Sequence, residues 1–229
     1  YIRTTDGDTP YVSISIRMLS IDTPEVHYPG NLKPSTQDQN LAMLAGWMQE
    51  GKAPLSKGLA EYLRPKLATG TAGTLQERQG ETATTVFENL LNEKLTEPNG
   101  SKRNVFLRAA DQPFDQYGRL LAYMAPCYDY KELASMAYGE RATFNLLMVE
   151  SGWAASFPIY PSIPKHADLV MLWKAAKDAY NNNKGAWADS MMLTGYEYRM
   201  CVKLYKVTKR LVEGESPVSY THLRATRPY

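Results

Sequence analysis

Ile16-Arg17-Met18-Leu19-Ser20-Ile21-Asp22-Thr23-Pro24-Glu25 is the stretch on which the reading of this 229-residue chain turns. Upstream of it, Val12, Ile14, Ile16 and Met18 alternate with Ser13, Ser15 and Arg17, the period of a half-buried strand. Pro24 then takes the chain out of any ladder. Asp6-Gly7-Asp8-Thr9 precedes the strand and Asp22-Thr23-Pro24-Glu25 follows it. Carboxylates gathered around one strand repel one another unless a cation lies between them, and oxygen-only ligands on irregular backbone suit calcium or magnesium. Each motif taken alone is more often a plain turn or helix start.

Composition narrows the field from the other side. Lys and Arg number 26 against 24 Asp and Glu, a formal charge of +2, so the overall charge does not point to a polyanion. Residues 199–229 hold seven Lys/Arg and two Glu, so a basic end of +5 is balanced by −3 over residues 1–198. That basic end could grip nucleic acid without regard to sequence. No apolar run approaches the ~20 residues of a membrane span. Cys127 and Cys201 are the only cysteines, which excludes a disulfide scaffold and a zinc site of several thiolates. There is no Gly-x-Ser-x-Gly elbow, and Gly70-Thr71-Ala72-Gly73-Thr74 lacks the Gly-Lys-Ser/Thr of a phosphate loop and reads as a linker. His27 reads as a solvated loop residue. The chain starts at Tyr1 and reads as a mature chain or a fragment. Ser219–Tyr229 lacks periodicity and reads as an unpacked terminus or as translated adapter sequence.

Helical patterns fill much of the rest. Ser35 and Asp38 suggest a capping box before Leu41, Leu44, Ala45 and Met48. Leu55, Leu59, Tyr62 and Leu63 make a second face that Pro65 should stop, and a third helix is expected over 81–94. Val105 and Leu107 open a second sheet region that resumes at Leu120-Leu121-Ala122-Tyr123-Met124. Helices are expected over 143–151 and 167–181, with Gly152 and Asn183-Lys184-Gly185 as stops. Residues 196–205 fit strand alternation, while 200–212 also fit an amphipathic helix.

Asp115-Gln116-Tyr117-Gly118-Arg119 is a turn that ends in an arginine. Two arginines, a spare glutamate and a carboxylate-held cation are what attack on a phosphodiester requires: positive charge on the non-bridging oxygens and a carboxylate to orient water. Asp-Gly-Asp-Thr, the 16–25 stretch and Asp115–Tyr123 occur in the order found in the staphylococcal nuclease (thermonuclease) family, which the chain resembles. Asn145-Leu146-Leu147-Met148-Val149-Glu150-Ser151-Gly152-Trp153-Ala154 and the helix before Gly185-Ala186-Trp187 continue that order. The resemblance covers residues 2–28 and 80–189.

The resemblance implies an α+β, mainly β-barrel fold: an OB-type five-stranded barrel with flanking helices and, in this chain, a helical insertion. It implies calcium bound by Asp8, Asp22 and the carbonyl of Thr23, phosphate clamped by Arg17 and Arg119, and Glu25 as the water-orienting base. Tyr117 and Tyr160 fall where the family contacts nucleotide, with packing an even alternative for both. The implied activity is calcium-dependent endonucleolytic hydrolysis of DNA and/or RNA leaving 3′-phosphates, by a monomer without membrane partners that is secreted or held at the cell envelope. The alternative is a non-catalytic module of the same fold that binds nucleic acid or protein.

Two departures stand out. Only eight residues separate Asp8 from Arg17, too few for a full hairpin, so Asp6 competes with Asp8 as first ligand. Glu25 and Asp115 lie 90 positions apart, the surplus being a segment at about 29–79. The expected organisation is a nuclease-like domain over 1–189 carrying this insertion, then a basic extension over 190–229. The insertion is expected to wall the substrate groove, with Trp47 as core or as a base-stacking platform.

Overall fold

The computed structural model describes residues 2–97 and 99–215. Ser219–Tyr229, with Arg224 and Arg227, lies outside them. In chain order come β1 (Arg3–Thr4), β2 (Pro10–Tyr11), β3 (Ile16–Met18) and β4 (Ile21–Asp22), then α1 (Asp38–Gln49), α2 (Lys57–Leu67) and α3 (Ala72–Lys94). They are followed by β5 (Val105–Phe114), β6 (Leu120–Pro126), α4 (Tyr130–Ser135), α5 (Phe144–Glu150), β7 (Ala155–Ser156), α6 (His166–Asn181) and α7 (Gly195–Val212).

The strands make three small sheets among the described residues: β1–β2, β3–β6–β5 and β4–β7. The chain is therefore α+β, but the closed five-stranded barrel expected from the resemblance is not formed by these residues. The hairpin β1–β2 has two residues per strand and pairs only with itself. The predicted strand from Val12 pairs only from Ile16, where β3 runs parallel to β6, and Val12 and Ile14 are exposed. The β5–β6 ladder is interrupted by a bulge between Ala109 and Phe114, and β5 is exposed along nearly its whole length.

The helices correct three expectations. Asp38 does not share a capping box with Ser35. Its carboxylate reaches α3 instead, accepting from Gly73 N (2.6 Å), Thr74 N (3.0 Å) and Thr74 Oγ1 (2.5 Å) and satisfying donors that a helix start leaves open. Pro65 does not stop α2, which continues to the buried Leu67 because Leu63 and Leu67 pack on one side. The third helix starts at Ala72 rather than near Glu81. Its first half buries Gly73, Gln76, Gln79 and Gly80, a face without the apolar residues that periodicity detects.

Two cores result. Ile21, Ala83, Leu146, Met148, Val149, Ala154, Leu172 and Ala175 fill the space between the strands, α3, α5 and α6. Leu41, Leu44, Met48, Leu63, Leu67, Tyr198, Cys201, Val202 and Tyr205 make the second, from α1, α2 and α7. Trp47 belongs to it, stacked on Tyr205 at 5.6 Å. The ambiguous 196–212 stretch is thus a helix whose apolar side packs on α1. At about 1.5 Å per residue, α3 is long enough to reach both cores.

Asp38→Ala is expected to lower the free energy of unfolding by about 1 kcal/mol, the usual worth of a helix N-terminal cap. Urea denaturation checks this through the midpoint at constant slope. An unchanged midpoint would contradict the bridging role.

Candidate active site

Local folding brings residues 17–25 back on themselves. Leu19 and Ser20 turn the chain between β3 and β4, with Ser20 at φ 61° and its Oγ 2.6 Å from the Tyr123 hydroxyl. Buried Asn145 fixes the turn, donating from Nδ2 to Leu19 O (2.8 Å) and accepting at Oδ1 from Met124 N (3.0 Å). β4 then pairs with β7, Asp22 against Ala155.

Asp22 is buried, with 1% of its side chain exposed. Such a carboxylate requires partners, and it has three. Oδ1 meets the guanidinium of Arg17 at 3.4 Å and that of Arg199 at 2.9 Å, and Oδ2 accepts from Tyr196 N at 2.6 Å. Arg199 also donates to Oε1 of Glu25. Burial works against the Arg199 charge, but Asp22 and Glu25 together outweigh it and raise its pKa. For Glu25 the balance is reversed. Burial pushes its carboxyl above the ordinary carboxylate value against the pull of Arg199, and the charge of Asp22 adds to the rise.

Arg17 and Arg119 come together through strand register. Ile16 pairs with Leu120 and Arg17 with Leu121 in the parallel ladder, and Leu120 N donates to Ser15 O at 2.8 Å. Arg119, two residues before Leu121, therefore falls on the same side of the sheet as Arg17. Each is steadied by a buried aspartate. Arg119 Nε lies 2.7 Å from Asp115 Oδ2, while Asp115 Oδ1 accepts from the amides of Tyr117 and Arg119 at 2.9 and 3.0 Å. Burial opposes the Asp115 charge, but these hydrogen bonds outweigh it and hold the carboxyl below its ordinary range. A guanidinium has five donors, so both arginines, half-buried, keep donors for another anion.

The remaining expected residues divide. Tyr117 is exposed, its ring 5.4 Å from the Arg119 guanidinium. Burial raises the pKa of half-buried Tyr28, with the charge of Arg199 opposing the rise and those of Glu25 and Tyr117 adding to it. Tyr160 is exposed on the loop between β7 and α6, and His27 is exposed beside Glu25. Asp8 lies on the exposed β1–β2 hairpin, where Thr9 Oγ1 donates to it (3.2 Å). No group of three or more His, Cys, Asp and Glu among the described residues is placed to hold a metal. Three of the roughly four acceptor positions of Asp22 are taken by protein donors. The backbone of Gly195 stands against the Thr23 carbonyl, so that a Cβ there would lie 2.3 Å from its oxygen. As folded, Asp8, Asp22 and Thr23 do not fit a calcium ion.

Four residues that shape the site escaped sequence reading. Gln76 accepts from Glu25 N (2.9 Å) and donates to Leu193 O (3.0 Å), joining α3, Glu25 and the approach to α7. Gly80 lets α3 lie against Glu25, where a Cβ would come within 2.8 Å of its carbonyl carbon. Gly195 and Arg199 bring α7 onto Asp22. The one available signal was the pair Gly73 and Gly80, a heptad apart in a stretch otherwise rich in helix formers.

The family model that matches the chain describes the staphylococcal nuclease homologue and covers residues 15–189. The chain belongs to this family. The match takes in Arg17, Asp22, Glu25 and Arg119, whereas Asp8 and Arg199 lie outside it. Membership in the nuclease family points to nuclease-like chemistry and to nucleic acid as what the domain binds. The curated proteins contain no match. No helix among the described residues is long and apolar enough to cross a membrane.

Because its pKa is higher folded than unfolded, Glu25 adds stability below the ordinary value of 4.5, and this is lost as pH rises through the folded value. Glu25→Gln, which cannot ionise, is therefore expected to gain in Tm relative to the unsubstituted chain as pH rises from 4.5 towards neutrality. Melting curves that stay parallel across that range would contradict the assigned environment.

Proposed function

We propose that the chain hydrolyses phosphodiester bonds of DNA or RNA at the surface formed by Arg17, Glu25 and Arg119. One observation carries this reading: the β3–β6 register sets two aspartate-anchored arginines on one side of the sheet, with Arg17 joined through Asp22 and Arg199 to a glutamate. Family membership supports it.

In the proposed reaction the two guanidiniums hold the non-bridging oxygens of the scissile phosphate. Their charge is most useful where negative charge grows in the transition state. Arg199 occupies Oε1 of Glu25 and leaves Oε2 to meet a water. Glu25 takes the water proton as the oxygen attacks phosphorus, the bond to the 5′ oxygen breaks, and that oxygen takes a proton from solvent, leaving a 3′-phosphate and a 5′-hydroxyl. A carboxyl raised by burial is a better base than an ordinary one, closer in pKa to the proton it must accept. Tyr117, exposed beside Arg119, offers a ring for a base or sugar to rest on. The resemblance assigns calcium to this reaction. Because the residues as folded do not fit the ion, no step here runs through it.

A binding module without catalysis is the second reading, for which the family has precedents. The Arg199–Glu25 ion pair favours it, since it restrains the proposed base.

Incubating supercoiled plasmid and a long RNA with the chain, then analysing the product ends, separates the two. Cleavage with 3′-phosphate ends is expected, and binding without cleavage would establish the second reading. Arg119→Lys retains a charge but loses the planar fork, so a fall in kcat of about a hundredfold is expected with the fold intact. Near-normal turnover would remove Arg119 from the mechanism.

A further inference from the structure

The feature whose origin the family match does not explain is Arg199. It lies outside the family match, on a helix built into the second core, yet its guanidinium sits at the centre of the acidic cluster. Its position is not accidental to a loose segment. Thr194 and Glu197 form a capping box that fixes where α7 begins, with Glu197 N donating to Thr194 Oγ1 at 3.2 Å and Thr194 N donating to Glu197 Oε2 at 2.8 Å. Tyr198, fully buried, donates its hydroxyl to Pro34 O at 3.2 Å, and Cys201, Val202 and Tyr205 pack on α1 and α2. Arg199 is therefore carried to Asp22 on a rigid element, one turn from a fixed start.

It stands against Asp22, one of the three residues to which the resemblance assigns a divalent cation. While it is ionised, a buried Asp22 is costly without positive charge beside it. Here Arg17 and Arg199 supply it, the first turn of α7 adds a backbone donor, and Gly195 stands in front of the Thr23 carbonyl. Asp8, the other expected ligand, is on a hairpin that does not pair with the sheet.

We propose that Arg199 is the resident cation of this site: its guanidinium takes the place of a divalent ion between Asp22 and Glu25, neutralises both, and sets the orientation of Glu25. Its catalytic consequence rests on the reading of Glu25 as the base. The charge replacement does not. Arg199 is a positioning residue, acting on the reaction through Glu25 and Asp22 rather than by touching the phosphate.

The chain without substitution, Asp22→Asn, Arg199→Ala, Arg199→Lys and the double variant Arg199→Ala with Asp22→Asn are to be melted in excess chelator and in millimolar calcium chloride. The same titrations are repeated by calorimetry. The unsubstituted chain and Arg199→Lys are expected to melt at the same temperature in both conditions. Arg199→Ala frees Asp22 Oδ1 and Glu25 Oε1 together, so it is expected to melt lower in chelator and to recover when calcium bridges these two carboxylates, by roughly 5–10 °C when calcium exceeds its dissociation constant a hundredfold. The double variant, with no charge left on Asp22, is expected to lose that recovery. A structural role alone would lower the melting temperature of Arg199→Ala without making it respond to a metal.

Three results would overturn the proposal: calcium uptake by the unsubstituted chain that Asp22→Asn abolishes, absence of any calcium response in Arg199→Ala, or faster cleavage by Arg199→Ala in chelator, which would make Arg199 a plug. If Arg199→Ala does not fold, the calorimetry on the unsubstituted chain and on Asp22→Asn still decides. The melting and calorimetric readouts need no substrate. A chain that cuts no nucleic acid thus fails the proposed function without touching this inference, and calcium-dependent cleavage by the unsubstituted chain fails this inference while sparing the other.

Discussion

A carboxylate taken out of water must be met by charge and hydrogen bonds, and Asp22 imposes that demand at the centre of this protein. Breaking such a buried pair by removing one member typically costs about 3–5 kcal/mol, because the partner left behind is an unpaired charge. Three groups from two separate parts of the chain answer the demand: Arg17 from β3, and Arg199 and the Tyr196 amide from α7. The Leu19–Ser20 turn and its Asn145 brace direct Asp22 inward, and Gly195 has no side chain to keep α7 away. The sheet body and the helical part meet at this group as well as along α3.

That convergence gives the segment between Glu25 and Asp115 a physical purpose. Its helices α1 and α2 do not line the site with their apolar faces. They pack against α7 and hold it, and α7 delivers Arg199. The long α3 links both cores while touching Glu25 through Gln76 and Gly80. The second core thus reaches Asp22 and Glu25 through the Arg199 guanidinium, and α3 reaches Glu25 through Gln76. Trp47 shows the same division, spent on stacking with Tyr205 rather than on a substrate.

What could be read from the sequence follows from how each feature is encoded. Arg17, Asp22, Glu25 and Arg119 lie in short ordered motifs, and a strand plus a turn suffices to place them. Helices α5 and α6 have apolar faces and clear stops, and their limits agree with the structure within about a residue. The first half of α3 was hidden because glycine and glutamine form its buried face, a pattern that carries no hydrophobic period. Pro65 misled for the opposite reason: a local rule against proline in helices gave way to the burial of Leu63 and Leu67 on either side of it. Arg199 could not be found at all. Its partners lie more than 170 residues away in the chain, and a lone arginine on an amphipathic helix looks like any solvated charge.

The most direct test of a site organised around Asp22 is a double-mutant cycle in thermodynamic stability between Asp22→Asn and Arg199→Ala, measured in chelator by chemical denaturation. The expected result is a favourable coupling of about 1–3 kcal/mol, with each single variant destabilised by more than the pair of changes together implies. Effects that add within about 0.5 kcal/mol would contradict it and would reduce Arg199 to a bystander beside Asp22.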